Sequence, residues 1–124
     1  MIAKKYRFRG QNDIRRVYRH GKTVRGPIMS IKYLPNRQLN HYRLAVVVSK
    51  KVHKSAVKRN RIRRRIYEAI RRRQDRLQPL DIVVTVFHDT IASMPADELE
   101  AMIHAQLSQA GALSPGRSAS PKMT

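Results

Sequence analysis

Between Lys50 and Arg65 the chain gathers Lys50, Lys51, Lys54, Lys58, Arg59, Arg61, Arg63, Arg64 and Arg65, with Asn60 set between two arginines and no acid among them. Ammonium and guanidinium groups at this density have one ready chemistry, the grip of phosphate, and arginine does it bidentately. In most proteins a Lys/Arg run is a solvated helix face, and such faces alternate sign to gain pairs at spacings of three and four. Here Lys58 stands over Arg61, and Arg61 over Arg64 and Arg65. Like charges at those spacings destabilise a free helix, and phosphates lying between them would remove that cost. Asn60 fits two roles, a contact to a ribose or base edge and a contribution to the helix cap.

Other polar groups carry less chemistry. His20, His41, His53, His88 and His104 have no metal-ligand spacing and no cysteine beside them, so no protein metal site is expected. His88-Asp89 has the form of a base and its orienter, but no nucleophile accompanies it. Asp97, Glu98 and Glu100 crowd the start of a helix, where the dipole accounts for them. Glycine-rich phosphate loops are absent. No catalytic constellation borne by the protein is expected. Tyr18 and Tyr33 suit stacking on unpaired bases, and equally suit a core.

The elements that must position these groups follow from periodicity. Asn12 is a candidate N-cap, Ile14, Val17 and Tyr18 recur at helical spacing, and Gly21 is a stop, which predicts a helix over Asp13–His20. Thr23–Leu34 reads as strand interrupted near Gly26-Pro27, with Met29, Ile31 and Tyr33 alternating against Ser30 and Lys32. Arg37–His41 is a polar turn. Arg43–Val48 and Asp81–Phe87 are near-continuous apolar runs, as expected of strands covered on both faces. Ser49–Ser55 is a basic loop. A helix over Ser55–Arg73 would place Ile62, Ile66, Ala69 and Ile70 on one arc, with Arg61, Arg64, Arg65, Arg71 and Arg72 opposite. Lys58, Arg59 and Arg73 fall on or beside the apolar arc and must emerge at its ends or snorkel. Two strands flanking that helix make a βαβ unit and a parallel pair. His88–Ser93 is loop. A last helix starts at Ser93 or Pro95, carries Leu99, Met102, Ile103, Leu107 and Ala110 inward, and closes at Gly111.

The predicted order is α-β-β-α-β-α, the first strand open to division. The fold class is α+β, a small α/β sandwich whose mixed sheet carries the basic helix. One domain spans residues 1–110, with residues 1–10 a basic arm, and 111–124 a disordered tail.

Charge follows the same division. Of 27 basic residues, 24 precede residue 74, against 2 acids; the remaining 51 positions hold 3 basic and 6 acidic residues. A formal net charge of +19 concentrated in one half calls for an anionic partner, and nucleic acid leads. The absence of cysteine excludes a disulfide framework. The basic N-terminus lacks the apolar run of a signal peptide, and nothing approaches the ~18 apolar residues of a membrane helix. A soluble cytoplasmic protein is the expectation.

Lys50-Lys51, then Ala56 to Arg65 (AVKRNRIRRR), then Glu68 and Arg71, resembles the signature of the bacterial ribonuclease P protein component, with Arg59-Asn60-Arg61 at its centre. Phe8-Arg9, Asp13-Ile14, Val17-Tyr18 and Gly21-Lys22 resemble the family's N-terminal helix, and Arg43–Lys51 and Asp81–Val84 its strands. The resemblance covers about residues 7–110. It implies a sandwich with a left-handed βαβ crossover, and an enzyme that hydrolytically removes the 5′ leader of precursor tRNA. It also implies that the RNA subunit catalyses with Mg2+, the protein binding no cofactor of its own. By position, Lys50, Lys51, Lys54, Arg59, Asn60, Arg61, Arg64 and Arg65, with Lys58 beside them, would bind that RNA. Ile14, Tyr18 and Lys32 would line a cleft for the single-stranded leader. The implied partners are the ribonuclease P RNA and precursor tRNA, not DNA and not a membrane. The family usually has Phe where Ile14 stands, and often basic residues where this chain reads Phe87-His88-Asp89.

Two other classes compete. A ribosomal or assembly protein would bind structured RNA without turnover, and would not stimulate precursor cleavage. A membrane-surface polycation would need Trp or Phe on an apolar face that this chain requires for its core.

Overall fold

The computed structural model describes residues 6–8, 11–36 and 41–111. The expected tail lies outside them, as do most of the basic arm and most of the Arg37–His41 turn. Among the described residues the order is α1 (Gln11–His20), β1 (Lys22–Arg25), β2 (Met29–Pro35), β3 (Arg43–Val47), α2 (Ala56–Arg71), β4 (Leu80–Val86) and α3 (Ala96–Ala110). Short 3-10 turns at Gln74–Arg76 and Asp89–Ala92 precede and follow β4.

The segment read as strand open to division near Gly26-Pro27 is divided there into a hairpin. Gly26-Pro27 divides it, and Gly26 N donates to Met29 O at 2.9 Å across the turn. The sheet order is β1-β2-β4-β3. β1 with β2 and β2 with β4 run antiparallel; β3 and β4 run parallel, joined by α2, which is the predicted βαβ unit. The fold is thus a mixed α+β sandwich.

Alternation sorts side chains between two faces. Met29, Ile31, Leu44, Val46, Ile82, Val84 and Val86 point to the α2 and α3 side and form one cluster with Ile62, Ile66, Ala69 and Ile70 of α2 and Leu99, Ile103 and Leu107 of α3. The three α2 isoleucines are fully buried, each contributing roughly 1.5–3 kcal/mol of transfer free energy. They are the arc the 3.6-residue period predicted. On the opposite face α1 lies over β2 and β4, where Val17 and Val83 are fully buried outside that cluster.

Element ends show where local rules competed. α1 begins at Gln11, so Asn12 sits inside its first turn rather than capping it; Asp13 serves the positive end of the dipole. Gly21 is required for close approach: a Cβ there would lie 2.5 Å from Val17 O and 2.8 Å from Tyr33 O. α2 is capped by Ser55, whose hydroxyl accepts from Lys58 N, and it ends two residues before the expected Arg73. At α3 the cap is Pro95, with no side-chain bond, and Gly111 at φ 72° closes the helix in the left-handed region. Gln106, read as outside the apolar stripe, is buried, and its Nε2 donates to Val24 O and Met29 O, tying α3 to the hairpin.

Candidate nucleic-acid interface

The α2 surface is built by burying one arc and dividing what remains. Lys50, Lys51, Lys54, Lys58 and Arg64 are exposed, and their side chains have no hydrogen-bond or ion-pair partner among the described residues. The other arginines of the predicted RNA-binding set are engaged. Arg59 NH1 donates to His53 O and Lys54 O, both at 2.9 Å, folding the basic loop onto the first turn of the helix. Arg61 Nε donates to Ala92 O at 2.9 Å, leaving its two terminal nitrogens without a partner among the described residues. Arg65 is half-buried, and both terminal nitrogens are used on the carbonyls of Ile91 and Met94. Asn60 does not cap the helix; its Oδ1 accepts from Arg63.

Two depressions flank the helix. One, of about 480 Å3, lies between the start of α2 and the 3-10 turn after β4, and includes His53, Lys58, Arg61, Asp89 and Thr90. The other, of about 320 Å3, is lined by Arg7, Asn60, Arg63, Arg64 and Tyr67. Arg7 reaches it because the chain there bridges Leu44 in parallel, outside β3. Cationic side chains thus line a depression on each side of α2.

At its C-terminal end α2 is partly neutralised. Glu100 of α3 accepts from Arg72 at 2.9 Å and also from Arg73. The expectation that Glu100 serves only its own helix end is thus corrected, because α3 packs beside the end of α2. Arg71 pairs with Glu68 at 3.0 Å. Along α2 and the loop before it, cationic side chains without a partner among the described residues are thereby concentrated in the loop and the first half of the helix.

Ile14, Tyr18 and Lys32 lie on the other face of the sheet, so the two predicted sites are on opposite sides of the molecule. Lys32 Nζ sits 5.9 Å from the centre of the Tyr18 ring, which is 44 % exposed. Ile14, one turn earlier on α1, is half-buried. Tyr33 packs against the main core instead.

Sequence reasoning missed what holds α1 over this face. Asp81 is fully buried and accepts from Arg43 Nε (2.9 Å) and NH2 (3.0 Å), Arg16 NH2 (2.9 Å) and Asn36 Nδ2 (3.1 Å). Arg43 also donates to Asp13 of α1 at 3.0 Å. Burial by itself would raise the Asp81 pKa; hydrogen bonds from Arg43, Asn36 and Arg16 outweigh it and hold the carboxyl below its ordinary value. The available signal was an acid heading an otherwise apolar strand, since a buried carboxylate needs partners. Arg43 stands abreast of it in the parallel register. His88 Nδ1 accepts from Thr90 N at 3.1 Å, so this histidine caps the 3-10 turn. No helix among the described residues is long and apolar enough to cross a membrane.

A highly basic crossover helix on one side of a four-stranded mixed sheet and a short helix clamped on the other define a small basic α+β sandwich. The ribonuclease P family model matches residues 2–111, and the chain belongs to that family. The ribonuclease P protein component of Synechococcus elongatus is 38% identical over 106 residues, 79% of this chain and 87% of that protein. That of a Pseudanabaena species is 40% identical over 96 residues, 77% and 81% of the two chains. A Staphylococcus aureus RNase P protein structure superposes with TM-score 0.78 at 27% identity, covering 88% of this chain and 98% of that one. The Thermotoga maritima RNase P protein, at 21% identity and TM-score 0.73, shares the fold.

Proposed function

We propose that this chain is the protein subunit of ribonuclease P, acting in the cytoplasm on precursor tRNA. Lys50, Lys51, Lys54, Lys58 and Arg64 bind phosphates of the RNA subunit, with the outer nitrogens of Arg61. Arg59 and Arg65 shape that surface by holding the loop and the turn after β4. The unpaired 5′ leader lies along the sheet face beside Ile14, Tyr18 and Lys32, and its hydrolytic removal yields the mature tRNA 5′ end. The RNA performs the chemistry with Mg2+, which supplies Lewis-acid activation of water and phosphate. In this reading the metal enters with the RNA.

One observation carries the reading: α2 buries its isoleucine arc in the core while presenting outward cations that have no partner among the described residues, in a chain of this family. The test is reconstitution. Purified chain with ribonuclease P RNA should cleave precursor tRNA at low Mg2+, where the RNA alone is slow. Tight RNA binding without stimulated cleavage would favour a non-catalytic assembly protein and overturn the proposal.

A further inference from the structure

Arg7, Arg63 and Tyr67 line the smaller depression beside α2, and none of them belongs to the RNA-binding set assigned above. Asn60, Arg63, Arg64 and Tyr67 recur at spacings of three and four, so they form one stripe of the helix. It is distinct from the stripe of Lys58, Arg61 and Arg65 on the side of the 3-10 turn after β4. Arg7 closes the depression from across the edge of the sheet. Residue 7 bridges Leu44; Tyr6 before it stacks on Tyr42, with ring centres 4.5 Å apart and planes 11° apart. Phe8 after it lies under the Arg43 guanidinium at 5.1 Å. Two aromatic anchors thus hold the backbone on either side of an exposed arginine. Charge alone would drive the arrangement apart, since three guanidiniums and no carboxylate line a space of about 320 Å3.

Convergent cations with no acid between them favour an anion in their midst. The larger depression differs, because Asp89 lines it. Arg63 spends NH2 on Asn60 Oδ1, which orients its guanidinium, while Arg7 and Arg64 have no partner among the described residues. Tyr67 is half-buried and packs against the core, so an aromatic is held firmly in the lining. The volume exceeds what a bare phosphate needs and reaches the lower range of ligand sites. Guanidiniums beside an aromatic ring can take a base together with its phosphate. We propose that this depression receives one unpaired nucleotide of the RNA subunit, its phosphate between Arg7, Arg63 and Arg64 and its base against Tyr67. One wall of the pocket is α2; the other is the chain that crosses the edge of β3. The proposal rests on the protein-subunit reading above.

The experiment measures affinity for ribonuclease P RNA across a salt series, for the full chain and single substitutions. Arg7 is exposed, so Arg7→Gln should leave Tm unchanged. It should weaken RNA binding about tenfold and lower the log–log salt slope by about 0.7–0.9, the share of one phosphate. Arg7→Lys should keep the slope and lose part of the affinity, because the charge stays and the planar fork goes. Tyr67→Phe should bind as the wild type does, and Tyr67→Leu about tenfold more weakly. In the assembled holoenzyme, Arg7→Gln should leave unchanged the ratio of affinities for precursor tRNAs with a long and with a single-nucleotide leader. Wild-type RNA affinity and slope in Arg7→Gln would overturn the pocket. So would a loss confined to long leaders, which would assign Arg7 to the substrate instead. A wild-type chain that fails to bind the RNA subunit at all would overturn the protein-subunit reading as well.

Discussion

Replacing Asp81 by asparagine tests whether the α1 clamp is as tight as its geometry. The substitution keeps the shape and removes the charge from a fully buried group that accepts hydrogen bonds from Arg43, Arg16 and Asn36. Removing one partner of a buried pair costs about 3–5 kcal/mol, because the other charge is stranded. Two features lower that figure. Arg16 is 44% exposed and rehydrates, and Arg43, only 13% exposed, keeps Asp13 as a partner. A loss of about 3 kcal/mol is expected, a Tm fall on the order of 15 °C. Urea unfolding near neutral pH measures it. The pH dependence has a definite sign. A carboxyl held below its ordinary value stabilises fully above the unfolded-state pKa, and the contribution fades as pH falls through the folded-state value. The gap between wild type and Asp81→Asn should therefore narrow below about pH 4. A loss under about 1 kcal/mol, the range of an exposed ion pair, would refute the reasoning. So would a gap that stays constant into acid.

Arg64→Ala should weaken binding to the RNA subunit by about 1–3 kcal/mol with Tm unchanged, whereas Arg65→Ala should lower stability by about 1–2 kcal/mol through its two lost carbonyl bonds; equal behaviour of the two in binding and melting experiments would contradict the division drawn between them. If Lys50, Lys51, Lys54, Lys58, Arg64 and the outer nitrogens of Arg61 each meet a phosphate, the log–log salt slope of RNA affinity should be about −4 to −5, at 0.7–0.9 per phosphate, and a slope near zero would exclude the surface. Burial, then the neighbouring Tyr6, pushes the Tyr42 phenol up to about 12, against a lowering by Arg71. A raised folded-state value stabilises the protein below the unfolded value near 10, and that contribution is lost as pH rises through 12. Tyr42→Phe should therefore flatten the stability profile between about pH 10 and about pH 12, and should remove a late tyrosinate absorbance step seen in the wild type.

Elements whose signal is periodic could be read from residues alone. The isoleucines of α2 recur at helical spacing and bury as that spacing requires. The parallel pair around α2 follows from two apolar runs too short for helices. The division of the first strand stayed open because Gly26-Pro27 marks an interruption without saying what the two halves pair with, and only the pairing of β1 with the far side of β2 decides. Asp81 resisted because its three donors come from α1, the start of β3 and the end of β2, up to 65 positions away.

The basic helix shows the deeper limit. In sequence, Arg61, Arg64 and Arg65 are alike: exposed-arc arginines at like-charge spacing. What separates them is the segment after β4, the 3-10 turn and the residues just past it, whose carbonyls at Ile91, Ala92 and Met94 accept from Arg61 and Arg65 but not from Arg64. That turn is ordered by His88, a residue with no periodic signal at all. A carbonyl-bound guanidinium has fewer donors left for phosphate, so the positive charge of α2 overstates the number of phosphates it can grip. The charge of the helix indicates that its partner is an anion; the long-range packing of β4 and its loop decides which arginines face that anion and which hold the surface in shape.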